Sequence, residues 1–262
     1  MSNIKNFKSG HSQVNGLNMY YEIHGTGKPL VLIHGGGSTI ETSFGRIIPV
    51  LAKNRQVIAL ELQAHGRTND RDANLSFEQD ADDVALLLKN LNIPKADFLG
   101  FSNGGQTAME ISFRHPKIIN KLILCSIFYK RSGAFPQFWE GFDHATLEQM
   151  PLILREGFLS VNNSTESLLT MFKRDVQRMK TFKGWTDDQL KSIQAPTLVI
   201  SATKDVGSPE HAVEMYRMIP NCELAIFPGG HGTYLGTIEA LENGIWPKFN
   251  AVELIEEFLA KA

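Results

Sequence analysis

Hydrophobic and polar positions alternate along the chain between two patterns. Short apolar runs, typical of buried strands, are separated by stretches with apolar residues at helical spacing. The runs predict strands over residues 17–24, 29–34, 56–62, 96–101, 121–128, 196–202 and 222–227. The other stretches predict helices around residues 40–53, 76–91, 104–115, 209–218 and 249–261. Apolar strands alternating with helices favour an α/β fold, with a mostly parallel sheet flanked by helices.

One long segment interrupts this alternation. Between the predicted strands 121–128 and 196–202 no strand pattern is visible, while Leu168, Leu169 and Phe172 keep helical spacing. The segment is too long for a loop. Its aromatic residues include Phe135, Phe138, Trp139, Phe142, Phe158, Phe182 and Trp185. We therefore expect a core formed by residues 1–128 and 196–262 and a helical insertion at 129–195, which is either a packed decoration of the sheet or a lid with an apolar inner face.

Composition and charge exclude several classes of function. The chain has 262 residues, 42% hydrophobic and 21% charged, which is typical of one large soluble α/β domain. A net charge of −2 provides no basic field for nucleic acid or anionic lipid. Cys125 and Cys222 are far apart and are predicted to be reduced thiols. Because the start MSNIKNFKSGHS has no apolar signal region and no run is long enough to span a membrane, we expect a cytoplasmic protein without a membrane partner.

A serine between glycines stands where a predicted strand meets a predicted helix, in LGFSNGGQTAME at residues 99–110. Gly100, Ser102 and Gly104 fit the pattern G-x-S-x-G in the strand–turn–helix context that it requires. A nucleophile on such a sharp turn has a strained backbone, so the residues two positions away must lack bulk. The pattern indicates Ser102 as a nucleophile, although glycines that only form a tight corner would produce the same letters.

A serine hydroxyl needs a base near neutral pH, and the base needs an orienting carboxylate. In a parallel sheet such groups meet when they follow the carboxyl ends of strands. His231 follows the last predicted strand, in FPGGHGTYLG, and is the best placed of the eight histidines. Asp205 follows the strand PTLVISA, whereas the sequence IFY at residues 127–129, before the insertion, offers no carboxylate. The sequence therefore predicts a triad of Ser102, Asp205 and His231, with an ordinary turn aspartate as the other interpretation of Asp205.

The loop after the strand PLVLIH is rich in glycine, with the sequence HGGGS at residues 34–38. Because glycines have no side chain, a backbone N–H of this loop can approach a substrate carbonyl oxygen closely. The residue after the nucleophile supplies the second N–H. We predict an oxyanion hole formed by the Gly36 and Asn103 amides, with Gly37 as the alternative first donor. His34 is expected to brace the loop rather than to transfer a proton.

These segments together resemble the α/β-hydrolase superfamily over nearly the whole chain. The matching segments, in the order and spacing of that family, are HGGGS at 34–38, GFSNGG at 100–105, SATKD at 201–205 and GGHG at 229–232. ELQAHGRTND at 61–70 resembles the family's D-x-x-G-H-G-x-S loop, with Glu61 and Thr68 in place of the aspartate and the serine. The resemblance implies an α/β-hydrolase fold in which the insertion 129–195 forms a cap above the active site.

With a serine nucleophile, the resemblance implies acyl transfer to Ser102 and then to water. An aromatic-rich cap favours a small, largely apolar carboxylic ester as the substrate. The alternatives with the same triad are C–C bond hydrolysis of a vinylogous diketone and cofactor-free perhydrolase chemistry. A ligand-binding member of the fold without turnover is an alternative of another class. No P-loop, dinucleotide or metal-binding pattern indicates a cofactor or a metal, and the sequence leaves the substrate and the oligomeric state open.

Overall fold

The computed structural model of the protein describes residues 7–242, 244–248 and 250–261. Within them, eight strands form one sheet in the order β1-β2-β4-β3-β5-β6-β7-β8. The strands are β1 (Phe7–Val14), β2 (Leu17–His24), β3 (Lys28–Ile33), β4 (Arg55–Leu60), β5 (Ala96–Phe101), β6 (Ile119–Cys125), β7 (Thr197–Lys204) and β8 (Cys222–Gly230). The pairs β1·β2 and β2·β4 are antiparallel, and all other neighbours are parallel. The predicted α/β fold with a mostly parallel sheet is confirmed.

Helices cover both faces of this sheet, and β3 shows why. Its side chains alternate between two buried clusters, because successive residues of a strand point to opposite faces. The helices are α1 (Ile40–Phe44), α2 (Ile48–Leu51), α3 (Phe77–Asn90), α4 (Asn103–Arg114), α5 (Pro136–Asp143), α6 (Leu152–Val161), α7 (Thr165–Lys180), α8 (Asp187–Lys191), α9 (Pro209–Met218) and α10 (Ala251–Ala260). Leu30 and Leu32 belong to the cluster with α1, α2 and α10, whereas Val31 and Ile33 belong to the cluster with α3, α4 and α9.

The main differences between the predicted and the observed elements are at three places. The polar strand β1 was not predicted, because it pairs only with β2 at the sheet edge and buries little of its surface. The helix expected over 40–53 is two short helices, α1 and α2, separated near Gly45. The strand expected over 121–128 is Ile119–Cys125, so it ends three residues earlier. Residue 249, the predicted start of the last helix, lies outside the described residues.

The segment 129–195 lies between β6 and β7, and among its described residues there are helices α5–α8 and no strand. Part of it packs into a cluster with the core residue Ala64, through Met150, Leu154, Phe158, Leu168 and Met171. A second, aromatic cluster joins it to Phe77 and Phe128 of the core. Apolar side chains therefore fix this helical insertion on the rest of the chain. No helix in the described part of the chain is both long and apolar enough to span a bilayer.

The loop ELQAHGRTND is held by internal hydrogen bonds. The buried Glu61 accepts from the backbone N–H of Arg67 at 2.6 Å and from the Arg67 guanidinium at 2.7 Å. The Thr68 hydroxyl donates to the Glu61 carbonyl at 2.7 Å and accepts from the Tyr20 N–H at 2.9 Å. Glu61 and Thr68 thus fasten the loop, which gives both residues a structural role.

Candidate active site

Ser102 lies on a sharp turn between β5 and α4. Its backbone has φ 52° and ψ −126°, a conformation that costs a residue other than glycine about 1–3 kcal/mol. A Cβ on Gly100 would lie 2.3 Å from the Gly104 carbonyl oxygen, and one on Gly104 would lie 2.1 Å from the Ile33 carbonyl oxygen. The Ser102 N–H donates to the Cys125 carbonyl at 2.8 Å, which ties the turn to β6. The two glycines are therefore required because backbones approach closely here.

Asp205 follows β7 directly and His231 follows β8 directly, and the two side chains meet at this edge of the sheet. The His231 Nδ1 lies 2.6 Å from the Asp205 Oδ1. The Asp205 carboxylate also accepts from the N–H of Val206 at 2.8 Å and from the N–H of Ala202 at 3.2 Å. Only 1% of its side chain is exposed. These contacts fix the carboxylate, and the His231 ring packs on Phe101 with ring centroids 4.7 Å apart.

Two residues that the sequence analysis missed support Asp205 from behind. The Ser126 hydroxyl donates to the Asp205 Oδ2 at 2.5 Å, and the Tyr234 hydroxyl lies 2.7 Å from the Ser126 Oγ. Ser126 follows β6 directly and has φ 55°. Ser126 could have been identified from the sequence only if the end of β6 had been placed at Cys125, because the predicted strand ended at residue 128. A serine that binds the carboxylate thus lies directly before residues 127–129, among which an acid was sought.

The pKa values of Asp205 and His231 are shifted in opposite directions. Burial by itself would raise the pKa of Asp205, but the hydrogen bond and charge of His231, together with the Ser126 hydroxyl, lower it. Burial by itself would lower the pKa of His231, but the hydrogen bond and charge of Asp205 raise it, with a further contribution from Glu239. With the Nδ1 proton donated to Asp205, the lone pair of neutral His231 is on Nε2. That nitrogen has no hydrogen-bond partner among the described residues, so it is available to accept a proton.

A cavity of about 510 Å³ lies between the sheet edge and the helical insertion. Ser102 and His231 both line it, whereas Asp205 lies behind His231. Most of the remaining wall is apolar and comes from the insertion. These side chains are Phe138, Phe142, Met150, Pro151, Leu154, Met171, Phe172, Val176 and Met179. The structure therefore brings the predicted nucleophile and base to one cavity, whose remaining lining is largely apolar.

The glycine loop after β3 contributes backbone groups to the same cavity. Gly36, Gly37 and Asn103 line it. The Gly37 N–H donates to the Asp175 Oδ2 at 2.7 Å, whereas the N–H groups of Gly36 and Asn103 have no acceptor within the described part of the chain. A Cβ on Gly36 would lie 2.5 Å from the Asn103 Nδ2. A side chain at position 36 would therefore have to displace the Asn103 amide group, and two unpaired N–H groups lie beside Ser102.

A buried ion network joins this loop to the helical insertion. The Asp175 carboxylate contacts the His65 Nε2 at 2.9 Å and accepts from Arg178 at 2.6 Å. Arg178 also donates to Asp80 of α3 at 2.8 Å. Burial alone would raise the pKa of Asp175, but His65, Arg178 and the Gly37 N–H hold it well below its usual range. The charge of Asp175 is therefore balanced by its partners, and its carboxylate holds the glycine loop against α7. No sequence pattern predicted this role.

His34 braces the loop, as predicted. Its Nε2 accepts from the Leu62 N–H at 3.0 Å, so its Nδ1 carries the proton and donates to the Gly35 carbonyl at 2.7 Å. Complete burial lowers the pKa of His34 to about 3. The ring therefore stays neutral and is hydrogen-bonded on both sides.

The other candidate ligands in the sequence form no further centre. Cys125 and Cys222 are free thiols, as predicted. Burial raises the pKa of Cys222 to about 12, so it is not a reactive thiolate. In the ranges that the structure describes, no three His, Cys, Asp or Glu side chains are grouped so that they could hold a metal ion.

Known proteins resemble this chain in sequence and in structure. A family model described as alpha/beta hydrolase fold matches residues 28–236. The serine hydrolase BPHL of Homo sapiens is 28% identical over 239 residues, covering 85% of this chain and 79% of that protein. The 2-hydroxymuconate semialdehyde hydrolase of Pseudomonas sp. (strain CF600) is 36% identical over 104 residues, covering 38% of this chain and 36% of that protein. A solved serine hydrolase involved in carbazole degradation (CarC enzyme) has a TM-score of 0.78 and 22% identity, covering 97% of this chain and 99% of that chain, which shows a shared fold.

Proposed function

Because this chain belongs to the alpha/beta hydrolase fold family, we propose that it is a serine hydrolase that cleaves small, largely apolar carboxylic esters through an acyl-enzyme. One observation carries this proposal. The Asp205–His231 pair, joined at 2.6 Å, adjoins the same cavity that holds Ser102 on its strained turn. A nucleophile, a base and an orienting carboxylate at one site are the groups that acyl transfer to serine needs.

In the proposed reaction, the Ser102 Oγ attacks the ester carbonyl carbon and its proton passes to the His231 Nε2. Asp205 stabilises the resulting imidazolium, and Ser126 keeps Asp205 in place. Collapse of the tetrahedral intermediate breaks the bond to the alcohol oxygen, which takes the proton from His231. Water then attacks the acyl-enzyme by the same route, releasing the carboxylic acid and restoring Ser102.

We propose that the N–H groups of Gly36 and Asn103 stabilise the oxyanion. Both lie at the cavity without an acceptor among the described residues, whereas the alternative donor, Gly37, is bonded to Asp175 at 2.7 Å. Asn103 is also the first residue of α4, where backbone N–H groups are unpaired and favour negative charge. One such donor contributes about 3 kcal/mol to transition-state stabilisation.

The proposed substrate class rests on the apolar side chains that line the same cavity as Ser102. Phe138, Phe142 and Phe172 of the helical insertion are among them, and the cavity of about 510 Å³ is suited to a small molecule. We propose that residues 129–195 act as the cap that selects the acyl and alcohol groups. C–C bond hydrolysis of a vinylogous diketone is the second candidate, favoured by the partial similarity to 2-hydroxymuconate semialdehyde hydrolase.

Active-site labelling tests the proposal directly. A fluorophosphonate probe is expected to modify the protein once, on Ser102, because an activated serine attacks phosphorus as it attacks an ester carbonyl. Intact-mass spectrometry and peptide mapping would locate the adduct. The matched control is Ser160→Ala, which removes an exposed hydroxyl of α6 outside the cavity and should label normally. A protein without an adduct would favour a ligand-binding role instead.

The choice between the two reactions needs paired substrates. Release of p-nitrophenolate from short-chain esters and loss of absorbance from a ring-fission diketone are measured with the same enzyme preparation. Ester hydrolysis is expected to have the higher kcat/KM. Faster turnover of the diketone would replace the ester proposal with C–C bond hydrolysis.

The pH dependence follows from the raised pKa of His231. The base accepts a proton only when it is neutral, so kcat/KM should fall as the pH drops through the pKa of His231. Since Asp205 raises that pKa, the acid limb is expected above the ordinary histidine value of about 6.5. A pH profile of p-nitrophenyl ester hydrolysis checks this, and an acid limb well below that value would contradict the pairing of His231 with Asp205.

A further inference from the structure

Glu239 provides a solvent-exposed carboxylate at the cavity, in a 3₁₀ turn at Ile238–Ala240. Ile238 packs on the apolar cluster of the insertion, and Ala240 is buried. The turn is therefore fixed on both sides of Glu239. In the part of the chain that the structure describes, no hydrogen bond or ion pair reaches the Glu239 carboxylate, although it is near enough to His231 to raise the pKa of that imidazole.

The other carboxylate at the cavity is neutralised by its partners, and positively charged side chains are scarce there. Asp175 is the second carboxylate in the wall, but it is bonded to the Gly37 N–H, His65 and Arg178. None of the described residues that line the cavity is a lysine or an arginine. Among the described lining residues, His231 is the one group that gains a positive charge, and Asp205 already neutralises it. Within the part of the chain that the structure describes, the Glu239 carboxylate is therefore the charge without a partner at the cavity, and it gives the cavity a negative charge.

We propose that Glu239 is a specificity-determining residue that excludes substrates bearing a carboxylate and favours neutral or cationic ones. An anionic substrate would leave water for a largely apolar cavity in which it finds a like charge and no cation, and both effects oppose binding. A cationic group, in contrast, would gain a partner in Glu239. This inference rests on the proposed ester hydrolysis and narrows its substrate class.

Three esters of similar length and different charge test the inference. They are p-nitrophenyl hexanoate, mono-p-nitrophenyl adipate, whose acyl chain ends in a carboxylate, and the p-nitrophenyl ester of ω-trimethylammoniohexanoate. The readout is the ratio of kcat/KM between two esters, measured at one pH above the acid limb. Since both substrates compete for the same free enzyme, a change in the pKa of His231 cancels from the ratio.

The wild-type ratio of hexanoate to adipate ester is expected to be about fivefold, because Glu239 is exposed and water screens part of its charge. Glu239→Gln should reduce it to about twofold, and Glu239→Lys should reverse it in favour of the anionic ester. The matched control, Glu242→Gln, removes an exposed carboxylate of the same segment that does not line the cavity and should leave the ratio unchanged. Equal turnover of neutral and anionic esters by the wild type, or a ratio unaffected by Glu239→Gln, would overturn the inference.

A binding measurement separates this inference from the proposed reaction. Ser102→Ala cannot form an acyl-enzyme, so the three esters can be titrated into it calorimetrically, and into Ser102→Ala combined with Glu239→Gln. Weaker binding of the anionic ester that Glu239→Gln relieves would support the inference even if the wild type turned over none of the esters. Absence of turnover with every ester would contradict the proposed function alone, whereas charge-independent binding would contradict the role of Glu239 alone.

Discussion

Replacing Ser102 with alanine is expected to lower kcat for p-nitrophenyl esters by about 10⁴- to 10⁶-fold. In the proposed mechanism the substitution removes the only atom that forms a covalent bond with the acyl group. Alanine keeps the Cβ and the backbone N–H that donates to the Cys125 carbonyl, so the turn and the cavity should remain. KM is expected to change little. Steady-state kinetics with burst-phase analysis would measure both parameters.

The control for this variant is again Ser160→Ala, which should retain wild-type kcat. Thermal unfolding of Ser102→Ala should stay within a few degrees of the wild type, because no buried contact of the hydroxyl is lost among the described residues. If Ser102→Ala kept wild-type turnover while remaining folded, acyl transfer through this residue would be wrong.

Asp205→Asn is expected to have the second largest effect, a fall in kcat of about 10⁴-fold. The carboxylate accepts the Nδ1 proton of His231 at 2.6 Å. An asparagine amide can donate to Nδ1 instead, which places the imidazole proton on Nε2, the nitrogen that must accept the proton of Ser102. The variant also lacks the negative charge that stabilises the imidazolium. Alanine is a poorer choice because it would leave Ser126 and the Val206 N–H without their acceptor.

The pH profile of the residual activity distinguishes this mechanism from a general loss of structure. Burial lowers the pKa of His231, and the hydrogen bond and charge of Asp205 raise it. Without the Asp205 carboxylate this pKa should fall, so the acid limb should move to lower pH. Asp188→Asn, the same change of charge on the exposed surface of α8, should alter neither kcat nor the limb. An Asp205→Asn protein with an unshifted acid limb would show that Asp205 does not control His231.

The predicted oxyanion donors illustrate how far local sequence reasoning extends. The glycines after β3 indicate a loop whose backbone can approach a substrate, and they leave Gly36 and Gly37 equivalent. The structure separates the two, because Asp175 of α7 accepts from the Gly37 N–H. Asp175 is far from Gly37 along the chain, so no local pattern could indicate this contact.

The predicted end of β6 was wrong, and the error affects the active site. A strand that ended at residue 128 would place only the apolar residues 127–129 next to His231. The strand ends at Cys125 because Ser126 turns out of the sheet with φ 55°. Its hydroxyl, which binds Asp205, was therefore overlooked. Apolar residues continue past the strand to pack under the insertion, and periodicity cannot distinguish that burial from a longer strand.

The sequence by itself determined the alternation of strands and helices, the mostly parallel sheet, and the positions of Ser102, Asp205 and His231 after strand ends. It could do so because burial periodicity and close backbone packing are local properties, visible in apolar spacing and in glycines such as Gly100 and Gly104. The tertiary structure alone decided which groups share the cavity. The Ser126 contact with Asp205 and the charge of Glu239 beside His231 depend on distances between segments that are remote in the chain, and spacing along the sequence carries no information about them.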